Sequence, residues 1–144
     1  MKIKSGRKTI TAEIAYLSGF FDGEGCIRIK KPTTGSQYYI IAHVTNSNKE
    51  ILQRYMDLFG GNIRRQERTP NKTIFNYYIT CSEAVDMLKI LNVYLIEKNK
   101  QADYAIWFHK EKGNLTPCQR LECHNRMMEM KKINIYENQY LLEK

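Results

Sequence analysis

Two acidic side chains, Asp22 and Glu24, stand one residue apart in the segment LSGFFDGEG, residues 17–25. The apolar stretch before them, residues 10–21, is predicted to be a helix, so both carboxylates fall at its C-terminal end, where the helix dipole disfavours negative charge. They therefore need a compensating cation, and the neighbouring glycines permit a tight exit that exposes backbone carbonyls. Such hard oxygen ligands suit Mg²⁺ held jointly with a phosphate of a substrate. The alternative is a pair that only caps a helix or faces solvent.

The charge of the whole chain points to the same kind of partner. The 144 residues include 23 Lys and Arg against 15 Asp and Glu, a net charge of +8. Residues 26–45 hold three basic and no acidic residues, and residues 62–80 hold four basic and one acidic, so these stretches supply +6 of the +8. This balance excludes a generic acidic cytosolic enzyme and favours a polyanionic partner. A merely solvated face is the alternative.

Both basic stretches have the pattern of β-hairpins, with turns predicted at residues 32–36 and 70–71. Alternation along a strand separates two faces. One predicted face is apolar, and the other is basic, amide-rich and aromatic, which is typical of a surface that reads nucleic acid. Arginine pairs with guanine and Gln or Asn with adenine, although phosphate contacts use the same side chains. The residues predicted to bind DNA on this face are Arg28, Lys30, Gln37, Tyr39, His43, Arg64, Gln66, Arg68, Asn76 and Tyr78.

Helical periodicity fills the segments around the hairpins. It predicts helices at residues 10–21, 48–59, 82–91, 98–112 and 116–133. With the last of these helices counted as a C-terminal extension, the α-β-β-α-β-β-α-α order predicts an α+β fold in which helices cover one face of an antiparallel sheet. The length predicts a single domain over residues 1–144, with a core at about 10–112 and a C-terminal helical extension at 113–144.

Two other kinds of site are disfavoured by the sequence. No stretch approaches the roughly 20 apolar residues of a membrane span, and the N-terminus lacks an apolar signal core, so we expect an intracellular protein without a membrane partner. The spacing of Cys118, Cys123 and His124 is not that of a usual zinc site. We therefore expect free thiols in a reducing compartment.

The segment LSGFFDGEG resembles the LAGLIDADG motif of homing endonucleases, and the αββαββα order extends the resemblance over about residues 10–112. The resemblance implies a curved antiparallel sheet. It also implies that Glu24, with the Gly23 carbonyl, binds the divalent metal, Mg²⁺ or Mn²⁺. Asp22 occupies the other acidic position of the motif, which is less consistently a direct ligand in the family.

The resemblance extends to two more positions of the family's catalytic site. Asn46 follows the second strand as a polar residue does in the family, and Lys98 matches a lysine that precedes a later helix. Their alternatives are a turn residue and an ordinary helix start. The chain also departs from the family pattern: Glu24 stands where Asp is commoner, and Glu50 falls where some members have a basic group. This leaves Lys98, together with Lys49, as the local cation.

Only one copy of the motif is present, whereas a double-strand break needs two cutting centres. The resemblance therefore implies a homodimer in which Leu17, Ser18, Phe20 and Phe21, around Gly19, pack against the same helix of a second chain. A twofold dimer implies a near-palindromic target in double-stranded DNA. The hairpins would lie in the major groove, and the two copies of Glu24 would meet over the central minor groove.

The expected function is thus a site-specific, intron-encoded DNA endonuclease that makes a double-strand break by metal-dependent phosphodiester hydrolysis. The expected location is a bacterial or phage cytoplasm, or an organelle. Two alternatives remain open. Proteins that resemble this family also act as intron maturases, which bind RNA and assist splicing, and a third possibility is a DNA-binding protein of the same fold that has lost cleavage. A basic sheet serves either nucleic acid.

Overall fold

Helices flank two β-hairpins in the computed structural model, which describes residues 9–34, 37–68 and 70–142. A short 3-10 helix at Lys112–Asn114 joins the last two helices. The elements in chain order are α1 (Ile10–Glu24), β1 (Gly25–Lys30), β2 (Tyr39–Asn46), α2 (Lys49–Phe59), β3 (Asn62–Arg68), β4 (Lys72–Thr80), α3 (Cys81–Leu91), α4 (Asn99–Glu111) and α5 (Pro117–Leu142). This order confirms the predicted α+β class.

The four strands form one antiparallel sheet in the order β1-β2-β4-β3. The register places Cys26 opposite His43, His43 opposite Tyr78, and Tyr78 opposite Asn62, so one row of side chains crosses the whole sheet. The other face of the sheet is buried beneath the helices. Its buried members include Ile27, Ile29, Ile40, Val44, Tyr77 and Ile79. The predicted separation of an apolar face from a polar face is therefore confirmed.

Two buried tyrosines, Tyr55 and Tyr77, connect α1 and α2 to the sheet. The rings of Tyr55 and Tyr77 are fully buried and stack with centroids 5.4 Å apart. The Tyr55 hydroxyl donates to the carbonyl oxygen of Leu17 at 2.5 Å, and the Tyr77 hydroxyl donates to that of Gly60 at 2.7 Å. Burial raises the pKa of both phenols above the ordinary value, because the charged form would be desolvated. Both side chains are thus polar groups satisfied inside the core.

The first helix is longer than predicted. It continues to Glu24 instead of ending near residue 21, so Gly23 lies within the helix and not in the exit from it. The chain turns at Gly25, whose backbone N–H donates to the carbonyl of Phe21. A side chain there has no room, since a Cβ at Gly25 would lie 2.5 Å from the Phe21 ring. The exit is therefore tight because of packing against Phe21.

The C-terminal helix packs on the same core as the rest of the chain. Cys123 and Met127 of α5 are buried in the main hydrophobic cluster. A ring nitrogen of His124, Nδ1, lies 2.5 Å from the carbonyl oxygen of Ile29 in β1. The helix reaches Leu142, nine residues beyond the predicted end at residue 133, which the mixed polarity of its last turns does not signal.

Within the described ranges, no helix is long and apolar enough to cross a membrane. The same residues hold no group of three or more His, Cys, Asp or Glu side chains able to bind a metal ion. Cys118 is exposed while Cys123 is buried.

Candidate metal centre and nucleic-acid interface

The carboxylate of Asp22 binds the start of α4. Its Oδ2 accepts the backbone N–H groups of Ile96, at 2.7 Å, and Glu97, at 3.3 Å, and its Oδ1 accepts that of Lys98 at 3.0 Å. The C-terminal end of α1 thus meets the N-terminal end of α4, where free N–H groups and the helix dipole attract an anion. Asp22 thus has its compensating partners in backbone N–H groups of the segment that leads into α4.

Lys98 is brought to the end of the motif helix by the same contact. Its ammonium group, Nζ, donates to the backbone carbonyl oxygen of Asp22, and the residue is half-buried. This carbonyl belongs to the last turn of α1, whose carbonyls have no partner within the helix. The structure therefore joins Lys98 to the acidic motif, as the sequence predicted, and fixes it with both its backbone and its side chain.

Glu24, by contrast, is exposed at the end of α1, next to the exposed Gly23. The available donors there are one carboxylate and the last carbonyls of the helix, all of them oxygen. Because Mg²⁺ prefers oxygen ligands and keeps several waters or substrate phosphate oxygens, one carboxylate per chain fits its requirements. Glu24 and Gly23, the residues predicted to bind metal, thus lie together at exposed positions that offer oxygen donors alone.

Asn46 lies at the end of β2 and makes a turn contact. Its Oδ1 accepts the backbone N–H of Asn48 at 2.8 Å, and Asn48 in turn caps α2 through the N–H of Glu50 at 3.0 Å. The turn alternative is therefore realised for the Asn46 oxygen, while its side-chain amide N–H groups make no hydrogen bond to the described residues. Lys49 lies over the Phe75 ring, 5.8 Å from its centroid, and Glu50 lies 3.8 Å from Arg54.

The predicted DNA-binding side chains share one face of the sheet. Arg28 and Lys30 of β1 pair with Ile41 and Tyr39 of β2, and alternate residues of β3 and β4 continue the same face. Gln37 lies just before β2 and is exposed. The register therefore brings together nine of these ten residues on the face opposite the helices, and Gln37 lies outside the paired strands.

Two hydrogen-bonded groups order this face. The Arg64 Nε donates to the Tyr78 hydroxyl at 3.1 Å, and its guanidinium lies over the Tyr78 ring, 5.0 Å from the centroid. The Thr45 hydroxyl donates to the Asn76 Oδ1 at 2.5 Å, and the Asn76 Nδ2 donates to the Gln66 Oε1 at 2.9 Å. Several proposed DNA contacts are thus held in place before any ligand binds.

The sequence did not predict a role in this surface for Thr45 and Cys26 of the sheet or for Lys131 of α5. Thr45 follows the alternation of β2 and was therefore accessible to a sequence argument. Lys131 of α5 lies 2.7 Å, Nζ to Sγ, from Cys26, a contact across 105 residues that no local pattern signals. Burial acts to raise the pKa of the Cys26 thiol, but hydrogen bonds with His43 and Lys131 outweigh it and lower the pKa to about 7.

The structure corrects the expected dimer contact for three of its five residues. Leu17, Ser18 and Phe21 are fully buried in the core of their own chain, and the Ser18 hydroxyl donates to the carbonyl of Ile14 at 2.6 Å. They have no surface left to offer a partner, because this side of α1 packs on the sheet and on α3. Gly19 is exposed and Phe20 is half-buried.

The outward face of α1 has a different composition from the one expected. Tyr16 is 52% exposed and its ring stacks with that of Phe20, with centroids 6.4 Å apart. Ile96, tied to the end of α1 through Asp22, is 82% exposed. Apolar surface therefore continues from α1 to the loop that precedes α4.

A curated protein is similar in sequence to part of this chain. An intron-encoded DNA endonuclease, ai2b, of Dictyostelium discoideum is 30% identical over 86 residues, which cover 59% of this chain and 33% of that relative. The matched segment thus spans about a third of the length of the curated relative.

Solved structures show the same fold. The homing endonuclease I-CvuI, in complex with the I-CreI target, aligns with a TM-score of 0.69 at 20% identity over 83% of this chain and 82% of that one. The archaeal intron-encoded homing endonuclease I-Vdi141I, complexed with DNA, aligns with a TM-score of 0.69 at 14% identity over 85% and 86% of the two chains. The family model described as LAGLIDADG endonuclease matches residues 17–110, most of the chain, and this protein belongs to that family.

Proposed function

We propose that this chain is a site-specific DNA endonuclease that makes a double-strand break at a long, near-palindromic target by metal-dependent phosphodiester hydrolysis, acting as a homodimer. The observation that carries the proposal is the exposed carboxylate of Glu24 at the end of the motif helix, two residues after Asp22, whose backbone carbonyl binds the Lys98 ammonium group. The chain would act as a single domain inside the cell, in a bacterial or phage cytoplasm or in an organelle.

The cofactor we propose is Mg²⁺ or Mn²⁺, bound by the Glu24 carboxylate and the Gly23 carbonyl. A bound divalent ion supplies Lewis-acid activation of a phosphate and of water near neutral pH. The oxygen-only donor set supports this choice. The contacts of Asp22 support a positioning role for that residue, because its carboxylate accepts the backbone N–H groups of Ile96, Glu97 and Lys98, just before α4.

The remaining residues of the site would bind and orient the substrate. Lys98 has its ammonium group fixed on the Asp22 carbonyl, which leaves its other N–H bonds for a phosphate oxygen or a water. The free amide N–H groups of Asn46 would orient a water nearby. Preorganised donors of this kind stabilise the charge that develops on a phosphate in the transition state.

A homodimer is supported by the outward face of α1. The stacked rings of Tyr16 and Phe20, the small residue Gly19 and the exposed Ile96 form an apolar surface around the motif helix. Burying it against a second copy would bring the two Glu24 carboxylates together, one for each DNA strand. Twofold symmetry then requires two similar half-sites in the target.

The test is selection of cleaved duplexes from a randomised DNA library in the presence of Mg²⁺. Wild-type protein is expected to release products with short 3′ overhangs at a near-palindrome. Glu24→Gln should abolish cutting of the selected duplex and leave its binding largely intact, because the amide cannot replace the carboxylate as a metal ligand. Glu122→Gln, a matched change at an exposed position of α5, should cut normally.

Three other outcomes would contradict the proposal. Cutting that survives Glu24→Gln would show that the metal assignment is wrong. Binding that is strongest to structured RNA, is salt-sensitive and comes without DNA cleavage would favour an intron maturase. Selective DNA binding without any cleavage would favour a DNA-binding protein that has lost the activity.

A further inference from the structure

Arg64 is the basic side chain of the polar sheet face that another side chain holds most firmly. It lies diagonally across the β3–β4 pair from Tyr78, because Arg64 is opposite Asn76 and Tyr78 is opposite Asn62. The hydrogen bond from its Nε to the Tyr78 hydroxyl and the contact of its guanidinium with the Tyr78 ring act together. A long flexible side chain is thereby restricted before a ligand arrives, which lowers the entropy cost of binding.

Its terminal groups remain free. Among the described residues no carboxylate pairs with Arg64, whereas Arg65, on the opposite face of the same strand, lies 3.3 Å from Glu67. The side chain of Asn76, directly across from Arg64, is hydrogen-bonded to Thr45 and Gln66 and does not bind Arg64. With Nε on Tyr78, the two Nη groups of Arg64 are left as a pair of parallel donors with no partner among the described residues.

We propose that Arg64, held by Tyr78, reads one guanine in each half-site of the target. The inference rests on the proposed function and deepens it, since it names a base that the interface selects. Guanine presents two acceptors, O6 and N7, on its major-groove edge, which match two parallel donors, whereas adenine replaces O6 with an amino donor that an arginine would oppose. Tyr78 is a positioning residue that acts through Arg64.

A phosphate is the other ligand that would accept this pair of donors. The location of Arg64 favours a base, because it lies on β3 between Asn62 and Gln66 on the polar face, in a row with Thr45 and Asn76 that runs across the sheet. Phosphate contacts would be expected instead from basic residues with no side-chain partner in the described part of the chain, such as Arg28 and Lys30.

The experiment is a binding selection from a randomised duplex library with Ca²⁺ in place of Mg²⁺, followed by sequencing of the retained pool. For wild type we expect guanine at one position of each half-site, favoured roughly 5- to 150-fold over other bases. Arg64→Lys keeps the charge but not the planar pair of donors, and should reduce the preference at that position to less than about threefold. The matched control is Arg65→Lys, which should leave every position unchanged.

Tyr78→Phe separates positioning from direct reading. It keeps the ring under the guanidinium but removes the acceptor for Nε, so the guanine preference should fall severalfold at the same position and at no other. Arg64, Arg65 and Tyr78 all lie outside the core cluster, so circular dichroism should show unchanged folding. A change in preference at several unrelated positions would contradict the positioning role.

Failure of this inference and failure of the proposed function give different results in this experiment. If Arg64→Lys leaves the guanine preference intact, or weakens binding to all duplexes equally, Arg64 contacts phosphate and the inference is overturned while the proposed DNA-binding function stands. If wild-type protein retains no duplex above the background of an empty resin, the proposed function fails and the inference fails with it.

Discussion

At the scale of single residues, the acidic pair of the motif divides into two roles that its spacing alone does not distinguish. Asp22 faces the start of α4 and accepts three backbone N–H groups, whereas Glu24 faces solvent. The sequence predicted both residues and their need for a compensating charge. It did not predict that a helix terminus 74 residues away supplies that charge for Asp22, because the contact depends on how α1 and α4 pack.

Asp22→Ala should therefore destabilise the protein and lower its activity through Lys98. We expect the free energy of unfolding to fall by about 1–2 kcal/mol, the usual cost of losing a capping acceptor. Cleavage of a selected duplex should fall more than binding to it, because the loop that carries Lys98 loses its attachment. Urea denaturation, binding and single-turnover cleavage measure the three effects.

Asp57→Ala is the matched control for Asp22→Ala. Asp57 is exposed on α2 and its carboxylate accepts a hydrogen bond only from Gln53, at 3.0 Å, among the described residues. Its replacement should change stability by less than about 0.5 kcal/mol and leave cleavage intact. If Asp22→Ala keeps full stability and loses only metal-dependent cutting, Asp22 is a metal ligand after all.

At the scale of elements, the junction between α1 and β1 shows that two glycines of the motif, Gly23 and Gly25, are there for different reasons. Gly25 has extended backbone angles, φ −82° and ψ 168°, that any residue can adopt, so the requirement there is space next to Phe21. Gly23 lies inside the helix, and a Cβ there would meet nothing within 4 Å. The sequence predicted a tight exit but assigned it to both glycines, because the end of a helix that is held by a distant partner has no local signal.

Alanine at the two positions should have opposite effects on stability. Gly25→Ala should lower the free energy of unfolding by about 1–3 kcal/mol, since the fully buried Phe21 ring must move. Gly23→Ala should raise it by up to about 1 kcal/mol through helix propensity. Thermal unfolding of both variants, at a protein concentration low enough to avoid association, checks the signs. Equal destabilisation by both would refute this account of the junction.

At the scale of the whole molecule, the periodicity of the sequence predicted much of the fold but not the surface of the dimer contact. The alternation of Ile27 and Ile40 against Arg28 and Tyr39 fixed which face is buried, and the structure agrees. The dimer contact could not be read in the same way. A helix rich in apolar residues on every side gives no sign of which side its own sheet covers, and Leu17 faces inward.

The exposed side of α1 makes a prediction about assembly. Gly19→Leu adds a side chain where the single chain has open space, so the fold should be unaffected. If Gly19 lies in a helix–helix contact, the variant should become monomeric in analytical ultracentrifugation and lose double-strand cleavage. Gly113→Leu, at another exposed glycine with open space, should remain dimeric. A dimer that survives Gly19→Leu would place the interface elsewhere.

The packing of α5 against β1 has a consequence for solubility. A four-stranded sheet has two edge strands, and an unpaired edge invites pairing with other chains and aggregation. At β1, the Nδ1 atom of His124 contacts the carbonyl oxygen of Ile29, and α5 packs alongside the strand. At the opposite edge, β3 carries charges of both signs, including Arg65 and Glu67. A chain shortened before α5 would therefore keep one protected edge and lose the other, and polymerisation through β1 would compete with folding.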